Sequence, residues 1–331
     1  IENINGCTDE LACNFNEAAN IDDGNCEYED LCGECGGDNL TCEIIFDIDG
    51  NAYGTVTIGD QVWMKQNLKT SNYNNGDQIP TGYSNEEWVN LSHGALSVYN
   101  NDSSNKDIYG NLYNWWAAND ERGVCPEGWD IPSGSDWDSL IEYLGGSDVA
   151  GGKLKHEGFN YWNTPNEGAS NESGFSALPA GWRHSNSGLD YEYINELAAF
   201  WNSESASEYS AVRYMIWNYS ANIQPWGQGK KFGNSVRCIQ MNLGCTDELA
   251  ENYNSDATID DASCEYPDNG DYSLSFDGDD DYVVIDNLVN LDDSFTFQAL
   301  VYADSDADYN MTDAGAHILS IGAGTTYADF A

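Results

Sequence analysis

The sequence predicts a multidomain chain: small, disulfide-stapled acidic repeats on both sides of a central α+β domain, followed by a partial all-β segment. Three observations predict it. The 331 residues include 57 acids and 11 bases, a formal charge of −46, and every Lys and Arg lies between Lys65 and Arg237. A compositional shift this sharp marks separate modules. Residues 6–28, GCTDELACNFNEAANIDDGNCEY, align without a gap to residues 244–266, GCTDELAENYNSDATIDDASCEY, with 16 identities in 23 positions. Such self-similarity identifies a unit used twice. The third observation is that six of the ten cysteines fall in the first 42 residues. The expected boundaries are 1–43, 44–240, 241–268 and 269–331.

The same arithmetic excludes several classes. Nucleic acid and anionic membrane need clustered Lys and Arg, which this chain lacks. No apolar run reaches the length of a membrane span. With 11 Trp, 21 Tyr and 10 Phe the chain is too aromatic for an acidic disordered tail. Ile1-Glu2-Asn3-Ile4-Asn5 has no Met, basic start or apolar stretch, so it reads as the interior of something longer. An even cysteine count in a Gly- and Asn-rich, Lys-poor chain predicts disulfides, hence an extracellular or cell-surface protein.

Each repeat is too small to bury a core and needs a staple or a metal. The second copy has only Cys245 and Cys264, which are expected to bond to each other; by equivalence Cys7 pairs with Cys26. Cys13, where the second copy has Glu251, is expected to take one of Cys32, Cys35 and Cys42, leaving three arrangements open. The Cys32-Gly-Glu-Cys35 spacing is read as structural, because zinc would need two further ligands and no His lies within 50 residues. Asp9, Asp22 and Asp23 recur as Asp247, Asp260 and Asp261, and short carboxylate-rich loops are what Ca²⁺ binds. The unit resembles the calcium-binding repeats of the thrombospondin type-3 kind, without their full DxDxDG ladder. The alternative is a solvated acidic turn held by the disulfide.

In the central block, Ile44–Phe46 and Tyr53–Ile58 read as strands joined by the turn Asp47-Ile48-Asp49-Gly50-Asn51. That turn mimics the start of an EF-hand, but Ile58 stands where the loop needs its Glu, so a hairpin turn is expected. In IPSGSDWDSLIEYLGG, Ser133 or Ser135 can cap a helix. Trp137, Leu140, Ile141 and Leu144 then follow helical spacing, and Gly145 stops it. Leu112–Ala118 is a second helix candidate. Short strands broken by Gly, Asn and Ser make up the rest.

The segments DIDGNAYGTVTIGDQVWMKQNL, GNLYNWWAA, CPEGWDIPSGSDWDSL, AGGKLK, NESGFSALPAGWR, AFWNSES and SVRCIQ occur in this order between residues 47 and 240. On them the block resembles the Fibrobacter succinogenes major paralogous domain, a module of secreted and surface proteins. The resemblance implies a C-type-lectin-like frame and a Cys125–Cys238 bridge. That frame is a display scaffold whose function lies in its loops. His93, His156 and His184 are scattered, and no catalytic motif is present, so no enzyme is expected. Trp162, Trp182, Trp201, Trp217 and Trp226 sit among Asn, Ser and Gly. Trp182 and Trp201 fall in the shared motifs and are assigned to the core, leaving Trp217 and Trp226 as ligand-binding candidates.

Residues 272–331 alternate as Tyr272–Phe276, Asp281–Ile285, Ser294–Phe297 and His317–Ile321, four strand candidates. The stretch resembles the opening of a laminin-G, concanavalin-A-like jelly roll. The functional expectation is adhesion or extracellular binding of a glycan or protein ligand, with Ca²⁺ rigidifying the acidic linkers. The alternatives are a stalk or subunit of an extracellular filament made of copies of the chain, and a binding appendage of a polysaccharide-degrading enzyme.

Overall fold

The computed structural model describes residues 2–186, 188, 190–254, 257, 259, 260 and 262–265, and the backbone of 320–322 and 327–329. It divides into two units, Ile1–Asp268 and Asn269–Ala331. In the second unit Ser320–Gly322 pairs antiparallel with Tyr327–Asp329. The strand candidates at 272–276, 281–285 and 294–297 lie outside the described residues, as does most of the candidate at 317–321.

The first unit has mixed α and β content. Its longest sheet has five antiparallel strands in the order Ile44–Phe46, Ala52–Ile58, Gln61–Met64, Ile239–Gln240 and Trp129–Asp130. Asp47 explains the first hairpin. Its buried carboxylate accepts from the backbone N–H groups of Asp49 and Asn51, from Asn51 Nδ2 at 2.8 Å and from Tyr53 OH at 2.6 Å. The turn is thus closed by its own donors, which an Asx turn does well.

The helix forms at Gly134–Tyr143. Ser133 is its cap, and Ser133 and Asp136 each accept the other's backbone N–H in a capping box. Its apolar stripe places Trp137 at the centre of the core, stacked on Tyr214 at 4.8 Å and 5.0 Å from Trp63. The second helix candidate is divided: Leu112–Tyr113 is a strand, and only Trp115–Ala118 is helical. Asn114 makes the break. Fully buried, it accepts from the Ala95 and Ala117 N–H groups and donates to His93 O.

A three-stranded antiparallel meander, Leu197–Ser205, Ser210–Trp217 and Ile223–Gly229, supplies the other wall. Ala198, Phe200, Tyr214, Ile216 and Ile223 join the Trp137 core. The alternate positions run through Trp201, Arg213 and Trp226, which are register partners, and end at Trp217. Because side chains alternate along a strand, this second face is separate from the Trp137 core.

Several of the few bases are buried. Lys155, Arg183, Arg213 and Arg237 are at most 3% exposed, and none forms an ion pair among the described residues. Lys155 Nζ donates to three carbonyls, Glu167 O, Trp217 O and Ser220 O. Burial pushes its pKa down to about 8. Among the described acids Asp47 alone is buried, and the others lie at or near the surface, where water screens their mutual repulsion.

All five expected or open disulfide positions are now placed. Cys7–Cys26, Cys245–Cys264 and Cys125–Cys238 form, and the open choice resolves as Cys13–Cys35 with Cys32–Cys42. Backbone bonds decide it: Cys13 N donates to Glu27 O and Gly36 N to Tyr28 O, so the chain turns back and brings Cys35 beside Cys13. The two repeats share a backbone as well as a sequence. Asn5–Gly6 pairs parallel with Ile21–Asp22, and Leu243–Gly244 pairs in the same way with Ile259–Asp260.

The first repeat packs directly on the central block. Lys65 Nζ donates to Cys32 O and Gln66 Nε2 to Leu31 O. A Cβ at Gly54 would stand 2.0 Å from Leu31 O, so this approach requires glycine. Glu29 faces His156 at 3.4 Å. Burial opposes the imidazolium, but the hydrogen bond and charge of Glu29 outweigh it and raise the His156 pKa, while the hydrogen bond to His156 lowers that of Glu29. The signs define a window. The histidine contribution is complete below its ordinary 6.5 and is lost as pH rises through the raised value. The glutamate contribution is complete above its ordinary 4.5 and is lost as pH falls through the lowered value. Amide-exchange protection of residues 27–37 is therefore expected to be highest between those two values and weaker at alkaline pH. Glu29→Gln should flatten the profile; an unchanged profile would show that this pair does not hold the repeat.

Candidate functional site

The second face of the meander meets the hairpin Ala180–Arg183 and Tyr191–Ile194, and five aromatic rings converge there. Trp182 packs edge-on to Tyr193 at 5.0 Å, Trp217 at 6.3 Å and Phe232 at 5.8 Å. Tyr193 meets Trp217 at 5.2 Å, and Trp217 stacks on Tyr219 at 5.4 Å and 24°. Edge-to-face packing of this kind fixes ring orientation as well as burying area. Tyr219 is 61% exposed and Trp226, on the neighbouring strand, 59% exposed.

Local backbone geometry builds this surface. Gly181 has φ +62°, and a Cβ there would lie 2.2 Å from Glu192 O, so the hairpin bends only with glycine. Across the bend, Tyr193 itself takes φ 64°, a left-handed conformation unfavourable for a bulky residue. That conformation accompanies its contacts with Trp182 and Trp217.

Polar groups border the rings. Glu192 accepts from Trp182 Nε1 at 3.3 Å and faces His184 Nε2 at 3.6 Å. Burial lowers the His184 pKa; the Arg213 charge acts in the same direction and Glu192 against it. The Arg213 guanidinium lies over the Trp182 ring at 4.2 Å. Its Nη1 donates to Asn234 Oδ1, and Asn234 Nδ2 donates to Gln228 Oε1. Rings with an open flank and a rim of amides and carboxylate suit stacking against the apolar face of a sugar or another flat group.

The structure sorts the tryptophans differently from their sequence context. Trp201 and Trp162 are in the core, at 0% and 1% exposure. Trp182, expected there too, is instead partly exposed at the hub of the ring cluster. The candidates Trp217 and Trp226 lie on strands of one sheet rather than in loops. Tyr193, Tyr219, Phe232 and Arg213 were not singled out. The period-two alternation Arg213, Met215, Trp217 in SAVRYMIW was the available signal for part of this set.

The acidic candidates remain in their turns. Asp9, Asp22, Asp23, Asp247 and Asp260 each accept from a backbone N–H two residues on, and Asp9 also accepts from Tyr28 OH. Asp261 lies outside the described residues. Among the described residues no three His, Cys, Asp or Glu side chains are grouped to hold a metal ion. A separate cleft of about 790 Å³ lies beside the Gly134–Tyr143 helix, with Asp60, Asp130, Asp136 and Glu142 in its wall and no base.

No curated protein and no solved structure matches the chain. Residues 56–240, more than half of its length, match the Fibrobacter succinogenes major domain, and the chain belongs to that family.

Proposed function

We propose that this is a non-enzymatic, extracellular or cell-surface modular protein that mediates adhesion, and that the central domain binds glycan through its aromatic face. The observation that carries the reading is the Trp182–Tyr193–Trp217–Tyr219 cluster, which sets rings from two strand pairs against Tyr219 in the turn after Trp217 and leaves Tyr193 and Tyr219 exposed. Rings held by strands lose little entropy on binding. Five disulfides, and the absence among the described residues of a helix able to cross a membrane, are consistent with an extracellular setting. The C-type-lectin-like reading of the frame is supported by the bridge from Cys125 to Cys238. The non-enzymatic reading is supported by the cysteines, every one of which is in a disulfide, so no thiol nucleophile is available.

Calcium association with the thrombospondin-type-3-like repeats, and a laminin-G-like character for the last segment, are parts of the same proposal. Because the described carboxylates act singly, a bound Ca²⁺ would share its shell with water, which belongs to the weak end of the extracellular range.

The test places the whole chain over insoluble neutral and acidic polysaccharides, with calcium and then with chelator. Retention is expected, reduced about tenfold or more by Trp217→Ala and by Trp226→Ala while the fold is kept. Retention that ignores both changes, or none at all by folded protein, would reject the aromatic face as the binding surface.

A further inference from the structure

The aromatic face holds a charge that no described residue neutralises. Arg213 is 3% exposed, with its guanidinium 4.2 Å over Trp182 and 5.9 Å from the Phe232 centroid. Nη1 makes one long hydrogen bond, 3.3 Å to Asn234 Oδ1. The sealed Nε has no partner, and Nη2 makes no hydrogen bond among the described residues. Among the described residues no carboxylate lies within ion-pair distance; Glu192, on the adjoining hairpin, is engaged by Trp182 and His184.

Two other buried cations show what a structural solution looks like here. Arg237 donates through Nε and Nη2 to Asn67 Oδ1 and through Nη1 to Met64 O and Phe175 O, and Lys155 caps three carbonyls. Arg183 is also short of partners, yet it stacks 4.1 Å over the fully buried Trp88, away from the open rings. Arg213 differs in location. It sits beneath the exposed surface, and its register partner on the next strand is the exposed Trp226. A desolvated guanidinium without a counter-charge is unfavourable unless something supplies one. A chain with 57 acids has placed none of the described ones there.

Resting on the glycan reading above, we infer that the aromatic face selects acidic saccharides, with a ligand carboxylate or sulfate meeting the Arg213 guanidinium while the sugar rings lie on Trp217, Tyr219 and Trp226. A planar guanidinium fork is suited to both anions. The net charge of −46 opposes such a ligand at long range, so attraction is confined to contact distance. The consequence is an inverted salt response. Raising ionic strength from about 0.01 M to about 0.15 M shortens the screening length from about 30 Å to about 8 Å. That removes the long-range repulsion first, and binding should strengthen before it falls at high salt.

The experiment measures binding of the whole chain, in chelator to exclude calcium bridging, to two pairs of probes. They are polygalacturonate against its carboxyl-reduced form, and dextran sulfate against dextran. The expected result is at least tenfold tighter binding of the acidic member, with the rise at moderate salt. Arg213→Gln should remove that preference, so that the acidic and neutral member of each pair bind alike, and Arg213→Lys should restore part of it. Should Arg213→Gln not fold, the probe pairs and the salt series on the unaltered chain decide. Equal or tighter binding of the neutral members would overturn the role of Arg213 and leave the glycan face standing. A preference that survives Arg213→Gln would place anion recognition elsewhere. Failure of every probe to bind would remove both readings.

Discussion

Replacing Arg237 by Met is expected to destabilise the central domain by about 1–3 kcal/mol for each buried acceptor that loses its donor. The residue is 0% exposed and packs its guanidinium 4.4 Å from Phe175 and 5.5 Å from Phe200. Its donors satisfy Met64 O, Phe175 O and Asn67 Oδ1, which tie the opening hairpin to the last segment of the domain. Methionine fills much of the volume but leaves these acceptors without a donor. Lysine keeps a charge yet cannot span three acceptors in a plane, so Arg237→Lys should recover only part of the loss. Urea unfolding measures both. A change below about 1 kcal/mol would mean that water enters and replaces the guanidinium.

The Cys125–Cys238 bridge should contribute a similar amount. It closes 113 residues, both cysteines are at most 2% exposed, and the chain-entropy relation gives about 4–5 kcal/mol for a loop of this size. Cys125→Ala with Cys238→Ala should therefore lower the unfolding midpoint more than Cys13→Ala with Cys35→Ala, whose bridge spans 22 residues in the exposed repeat. The reverse order would show that the repeat, rather than the central loop, limits stability.

The legible parts of the sequence were those set by local rules. Ser133 and Asp136 announce a helix start because a capping box needs only four residues, and the stripe through Trp137, Leu140 and Ile141 fixes the buried side. The two repeats were legible because one copy lacks the extra cysteines and so pairs the others by elimination. The Leu112–Ala118 segment misled for a non-local reason: Tyr113 N donates to Asn234 O, and Asn114 is held by Ala95 and His93, contacts made across the fold. Choosing among the three cysteine arrangements required the path of residues 27–36, which is also a matter of tertiary geometry.

The sequence by itself determined the repeated segment, three of the five disulfides once the family likeness is included, and the charge imbalance, because each rests on composition or short spacing. Tertiary structure decided which aromatics face outward and which bases lie inside. Trp182 and Trp201 come from equally motif-like surroundings, yet one is part of an open cluster and the other is sealed. Strand register and the bend at Gly181 separate them. Arg213 and Arg237 are likewise indistinguishable as letters. One is surrounded by carbonyls and the other by rings, and only the packing of distant strands brings either set together.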